Sequence, residues 1–193
     1  MIEQEYFYPE IYFSKEAAYN YDHSPRMRQM QRELTERALE LLGLTSGHIL
    51  DVGCGTGFSM QVISEQGFTC EGIDISEYMV AIAVAKGYRA QKGDMHEIPY
   101  AKNLFDGLIS ISTLQWVTGK SYDDIVTNYE RVAREFYRVL KKKGRAVVQF
   151  YPRTQEILDI AAQSFKKAGF KVTIAVDYPD VQRRTKKYLV MEK

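Results

Sequence analysis

The sequence predicts an α/β fold: a doubly wound, mostly parallel seven-stranded sheet with an antiparallel hairpin at one edge and an N-terminal helical lid. Three observations carry that expectation. Short apolar runs alternate with stretches of helical periodicity from His48 onward. A glycine-rich turn, Gly53 to Gly57, follows the first run directly, as it does where a parallel sheet meets a ligand. The last two runs, Lys171 to Val176 and Tyr188 to Met191, have no helix between them, which is the pattern of an antiparallel pair.

Taken in order, Leu34, Ala38, Leu41 and Leu42 recur at helical spacing between Glu33 and Leu42, and Gly43 stands where that helix would stop. The first strand is His48 to Val52; the glycine turn leads into a helix, Thr56 to Gln66, and a second strand, Cys70 to Asp74. Ser76 is a good N-cap for the next helix, with Glu77 in its first turn and Gly87 at its end. Further strands are expected at Tyr88 to Lys92, Asp106 to Ser112 and Arg145 to Tyr151, the last two separated by a long helix from Tyr122 to Lys142. "KKKG" at Lys141 to Gly144 reads as that helix's C-terminus, because cations favour a helix end and glycine caps it. A helix from Thr154 to Ala168, closed by Gly169, precedes the hairpin. No repeat, low-complexity tract or linker interrupts this order. Residues 1–193 are therefore expected to form one domain, 1–43 supplying the lid and first helix and 44–193 the core.

Composition narrows the function classes. A chain of 193 residues with 45% hydrophobic content is the size for a single core. No apolar run approaches the roughly 20 residues that a bilayer demands, and the acidic start MIEQEYFYPE is no signal peptide, so a cytoplasmic protein without membrane contact is expected. Two cysteines, Cys54 and Cys70, are too few for a disulfide framework or a zinc site, and no metal is expected. A formal charge of +1 argues against gripping nucleic acid unaided.

The chemistry concentrates at the carboxyl ends of the strands. In Asp51-x-Gly53-x-Gly55-x-Gly57 the bare backbone allows close approach of a nucleoside-type ligand. The dinucleotide fingerprint G-x-G-x-x-G needs glycine where Phe58 stands, which disfavours a dehydrogenase. Asp74, ending the second strand, is placed to accept from both ribose hydroxyls, and Asp94 follows the third strand.

Asp51 to Gly57, "GIDIS" at Gly72 to Ser76 and "GDMHEIPY" at Gly93 to Tyr100 together resemble the successive motifs of class I S-adenosylmethionine-dependent methyltransferases. That resemblance implies a Rossmann-like core with S-adenosylmethionine as cofactor. It places the Gly53, Gly55 and Gly57 backbone against the methionine part, with Asp51 organising the loop and Asp74 holding the ribose. Ile75 and Met95 would flank the adenine, Asp94 would accept from its amino group, and Ile111 would line the floor. The stretches "PEIYF", "SPRMRQMQ", "RALELL", "ISISTLQW", "QFYP" and "KKYLV" are further similar to the eukaryotic small-subunit rRNA (guanine-N7) methyltransferases and their archaeal relatives, over about Pro9 to Val190. Three expectations follow from this narrower likeness: methylation of guanine N7 in small-subunit rRNA during ribosome biogenesis, a pre-ribosomal substrate, and a small zinc-binding activator subunit that adds a strand to the third-strand edge. The sequence printed ends at Lys193 without the basic, nuclear-directed tail of the eukaryotic members, so a compact archaeal-type version is expected.

The residues agree with N7 chemistry. Guanine N7 carries an in-plane lone pair and loses no proton before attack, so no general base is called for. Ser110 to Trp116 contains no Asp, Glu or Cys, and lacks both the Asn-Pro-Pro-aromatic motif of amine methylation and the Pro-Cys of cytosine C5 enzymes. No catalytic group is therefore expected; positioning falls to Gln115 as a reader of a base edge and to Trp116 and Tyr151 as stacking platforms, with core packing the alternative for both rings. Tyrosines crowd Tyr6 to Arg28 (Tyr6, Tyr8, Tyr12, Tyr19, Tyr21), suggesting a lid with Tyr21 and Arg26 at the methionine carboxylate, or else an ordinary surface helix. "RRTKK" at Arg183 to Lys187 is a candidate phosphate contact, whereas His23, His48 and His96 read as surface or satisfied residues. "MVAIAVA", Met79 to Ala85, is apolar throughout on a surface-layer helix, which points to a partner covering it or to tight packing on the sheet. Rival functions are a small-molecule methyltransferase of quinone or sterol type and a cofactor-binding ribosome assembly factor whose methylation is incidental.

Overall fold

Seven strands pair into one sheet in the computed structural model, which describes residues 12–181 and 185–193. They are β1 (His48–Val52), β2 (Thr69–Asp74), β3 (Ala90–Lys92), β4 (Phe105–Ile111), β5 (Leu140–Phe150), β6 (Lys171–Asp177) and β7 (Lys186–Glu192). The order across the sheet is β3-β2-β1-β4-β5-β7-β6, with β1 to β5 parallel and β7 antiparallel to both of its neighbours. Because β1 pairs with β2 on one side and β4 on the other, the chain direction of winding reverses there, and a crevice opens beyond their carboxyl ends. Tyr6, Tyr8, Arg183 and Arg184, named above for the lid and the basic cluster, lie outside the described residues.

Among the described residues six α-helices cover the faces: α1 (Lys15–Asp22), α2 (Pro25–Leu42), α3 (Phe58–Glu65), α4 (Glu77–Ala85), α5 (Tyr122–Val139) and α6 (Gln155–Ala168). Helix α2 starts on Ser24, whose hydroxyl accepts from Met27 N at 3.3 Å, has Pro25 at its first position, and ends on left-handed Gly43. Its buried stripe Gln31, Leu34, Thr35, Ala38, Leu39, Leu42 follows the 3.6-residue period, and the leucines pack with Ile49, Val62, Ile63 and Ile109 on one face of the sheet. On the other face Tyr129, Val132, Phe136 and Phe165 of α5 and α6 close over Leu108 and Val148.

Element boundaries shift from the sequence expectation in several places: α2 starts at Pro25, well before Glu33, β7 is longer than Tyr188 to Met191, and three further differences have a visible cause. Helix α5 ends at Val139, and β5 begins at once with Leu140, which is fully buried and pairs with Phe105. "KKKG" is therefore strand backbone and Gly144 is no helix cap: Lys141 Nζ binds Asp106 Oδ1 at 2.8 Å, Lys193 N donates to Gly144 O at 2.9 Å, and Lys143 takes the left-handed turn with φ 65°. Tertiary pairing with β4 claims residues whose local pattern continues the helix. Likewise α3 starts at Phe58 instead of Thr56, since Gly57 at its N-cap has φ 90°. Strand β3 is shorter than expected because Tyr88 turns back against the glycine loop, where a Cβ on Gly57 would lie 2.5 Å from Tyr88 Cδ2.

Candidate cofactor and substrate site

A cavity of about 330 Å³ opens at the crevice beyond β1 and β4. Its walls come from the glycine turn (Gly53, Cys54, Gly55), the ends of β2 (Ile73, Asp74, Ile75) and β3 (Gly93, Asp94, Met95, His96), and the turn after β4 (Ile111, Ser112, Thr113, Trp116). Phe13, Tyr21, Gln31 and Phe58 complete it from the N-terminal side.

The glycine turn is anchored before any ligand arrives. Gly53 N and Cys54 N both donate to Ile73 O, at 2.8 and 3.0 Å, tying the turn to the end of β2. Gly53 is glycine by necessity: its φ is 80°, and a Cβ would sit 2.2 Å from Thr113 Oγ1. Asp51, fully buried at the end of β1, accepts the Ser59 hydroxyl on Oδ2, while its Oδ1 has no partner among the described residues. Burial pushes the Asp51 carboxyl up to about 7, against the lowering effect of Ser59, with Asp74 adding to the rise.

Asp74 holds the turn from the other side. Its Oδ2 accepts from Gly55 N at 2.9 Å and its Oδ1 from Ser76 N at 2.9 Å, contacts that offset part of the upward shift imposed by burial. The Ile75 backbone adds a third such contact, which still leaves the carboxylate acceptor capacity for a ribose hydroxyl. Asp94 Oδ1 accepts from His96 N at 2.8 Å and His96 Nδ1 at 2.7 Å, and this hydrogen-bonding holds the carboxyl below its usual range. His96, read from sequence as a surface or satisfied residue, is thus part of the cavity wall with its Nε2 buried and unpartnered among the described residues.

An aromatic roof covers the N-terminal side. Phe13 packs edge-on against Trp116 (centroids 5.8 Å apart) and against Tyr21 (6.3 Å), and Tyr21 in turn lies 5.6 Å from Phe58. Two polar ties hold this strap: Ser76 Oγ donates to Phe13 O at 3.0 Å, and Lys86 binds Asp22 while also donating to Thr56 O at 3.0 Å. Burial, then Asp74, Asp51 and Asp22 in turn, raise the Tyr21 phenol, which stays neutral.

Of the residues singled out from sequence, Tyr21, Gly53, Gly55, Asp74, Ile75, Asp94, Met95, Ile111 and Trp116 converge on the cavity wall. Asp51 and Gly57 stand behind it, shaping the turn. Arg26 is exposed on α2 and is not among the lining residues. Tyr151 also lies away from the cavity, its hydroxyl accepting from Lys186 Nζ at 2.9 Å. Gln115 is not in the wall but behind it: its Nε2 donates to Ser112 O at 2.7 Å. From the opposite side Gln149 Oε1 accepts from Ser112 N at 3.1 Å and Ser112 Oγ at 3.0 Å. Two amides thus clamp Ser112, whose φ of 55° is a left-handed geometry that needs such support. Sequence reading missed Gln149 and Gln31. A polar residue in the middle of the apolar run "RAVVQFY", and one in register with Leu34 and Ala38 on α2, were the available signals.

Comparison with known proteins gives a consistent answer. Residues 50–148 match the model of the methyltransferase domain family. The Schizosaccharomyces pombe protein named 18S rRNA (guanine-N(7))-methyltransferase bud23 is 36% identical over 95% of this chain and 71% of its own length. The mouse protein of the same enzyme name is 36% identical over 95% of this chain and 68% of its own. A solved structure from Methanococcus maripaludis, described as an S-adenosyl-L-methionine-dependent methyltransferase, superimposes with a TM-score of 0.73 over 94% of each chain at 19% identity, a likeness of fold.

Proposed function

The chain belongs to the 18S rRNA (guanine-N7)-methyltransferase family, and we propose that it methylates N7 of a guanine in small-subunit rRNA during ribosome biogenesis. The observation that carries the proposal is the likeness to the named rRNA enzymes across 95% of the chain. S-adenosylmethionine is the cofactor. The residues fit it on their own chemistry: open space at Gly55, where a Cβ would meet nothing closer than Tyr21 Cε1 at 4.0 Å, a carboxylate at Asp74 with spare acceptor capacity, and Asp94 beside Met95 and Ile75.

Bound S-adenosylmethionine supplies an electrophilic methyl group on a sulfonium. What remains for the protein is to align an incoming lone pair and exclude water. Trp116 is preset for stacking a purine, since Tyr12 and Phe13 pack against its ring at 5.3 and 5.8 Å. The clamped Ser112 fixes the turn from which Trp116 projects. No carboxylate or thiol lies in Ser110 to Trp116, which suits a nucleophile that carries no proton. A direct test is transfer of radiolabelled methyl to small-subunit rRNA from cells lacking the gene. Wild type labels it and Asp74→Ala does not; labelling of lipid extracts instead of rRNA would favour a small-molecule substrate.

A partner belongs to the same reading. Strand β3 is a sheet edge whose Gln91 and Lys92 are exposed, and the neighbouring α4 leaves Tyr78 and Val84 40% and 50% exposed while burying only Met79 and Ala83. An uncovered apolar helix face beside an unpaired edge is a surface that invites strand addition. We assign to it the small zinc-binding activator implied by the family resemblance, which would also supply the basic surface that a net charge of +1 withholds.

A further inference from the structure

Gln31 is a polar side chain of the cavity wall for which the described fold provides no use. It is 6% exposed, lines the cavity, and its side-chain amide has no hydrogen-bond partner among the described residues, although it sits in the buried stripe of α2 where Leu34 and Ala38 hold apolar positions. Backbone structure explains only its carbonyl, which accepts Thr35 Oγ1 at 2.7 Å. The side chain faces the cavity from a largely buried position, where a ligand group can pair with an amide that no described protein group satisfies.

The surroundings say which group. Arg28 lies over the Phe58 ring at 5.5 Å and Arg32 pairs with Glu65 at 2.8 Å, which sets this stretch of α2 along α3, next to the glycine turn. Asp22, Asp51 and Asp74 make that end of the site rich in acceptors, enough for an ammonium. Donors are scarce. No described lining residue is Arg or Lys, Lys86 is engaged by Asp22 and Thr56 O, and the hydroxyls of Ser59, Ser112 and Thr113 already donate within the protein.

We propose that Gln31, and not Arg26, receives the α-carboxylate of the cofactor's amino-acid end, through its Nε2–H. This inference rests on the cofactor assignment above. A neutral donor suits the position: it binds the carboxylate without forming an ion pair with the aspartates whose field acts on nearby Tyr21.

Calorimetric titration of the full chain with S-adenosylhomocysteine and with 5′-methylthioadenosine, which lacks the amino-acid end, tests it. Gln31→Met, isosteric and apolar, should weaken S-adenosylhomocysteine about tenfold and leave methylthioadenosine within about twofold of wild type. Gln31→Glu, which exchanges the donor for a carboxylate, should weaken the first ligand further and again spare the second. Equal effects on both ligands, including no effect on either, overturn the proposal, as does a selective loss in Arg26→Ala with none at Gln31. Wild type that binds neither ligand overturns the cofactor assignment as well; wild type that binds both while the Gln31 variants match it overturns this inference alone.

Discussion

Asp51 shows how much of this site is electrostatic. Its folded-state carboxyl is pushed up to about 7 by burial, above its ordinary value near 4, so between those two pH values the folded chain holds a proton that the unfolded chain has released. Stability attributable to Asp51 is therefore full at acid pH and is lost as pH rises toward 7. Asp51→Asn removes that dependence: its melting temperature relative to wild type should rise from pH 4 to pH 8, and a constant difference would contradict the assignment. Glycines of the turn also differ in kind. Gly53→Ala meets Thr113 as well as an unfavourable φ, whereas at Gly55 the nearest side-chain atom to a Cβ is Tyr21 Cε1 at 4.0 Å. Urea denaturation should show Gly53→Ala destabilised by at least about 2 kcal/mol more than Gly55→Ala, since only the former adds a clash to the strain. The aspartates and glycines were legible from sequence because the chemistry demands those residue types at strand ends. Gln31 and Gln149 were not, because an amide carries no type-specific signal until its burial is known.

At the scale of elements, the strap Tyr12 to Asp22 depends on a few ties rather than on a broad apolar face, since α1 buries only Ala18 and Asp22. Lys86 links it to α4 and to the glycine turn. Lys86→Met should raise hydrogen exchange across α1 about tenfold, while amides of β1 and β4 keep their protection. Unchanged exchange in α1 would mean that the aromatic contacts alone hold it. Sequence pattern gave the order of strands and helices because the long helices α2, α5 and α6 have an apolar stripe and most helices have a cap residue: Ser24, Ser76, Ser121 and Thr154 each accept from the backbone three residues on. It failed where α5 passes into β5 with no loop. Neither "VLKKKG" nor its charges mark that boundary, which is set by the pairing of Leu140 with Phe105 across the sheet.

Across the whole molecule the sheet ends on two edges, β3 and β6. Among the described residues the β3 end differs in that the exposed apolar face of α4, with Tyr78 and Val84, lies beside it. Val84→Glu on α4 or Gln91→Pro on β3 should abolish co-purification of the proposed activator subunit, with binding of S-adenosylhomocysteine intact; persistence of the complex in both variants, or no complex with wild type, would contradict the proposal. The central claim concerns the base that receives the methyl group. Borohydride reduction and aniline cleavage locate N7-methylguanosine in small-subunit rRNA from cells with and without the gene. The account predicts that one cleavage site disappears in the deletion and returns with wild type but not with Asp74→Ala. An identical cleavage pattern in parent and deletion strains, with the gene expressed in the parent, would contradict it.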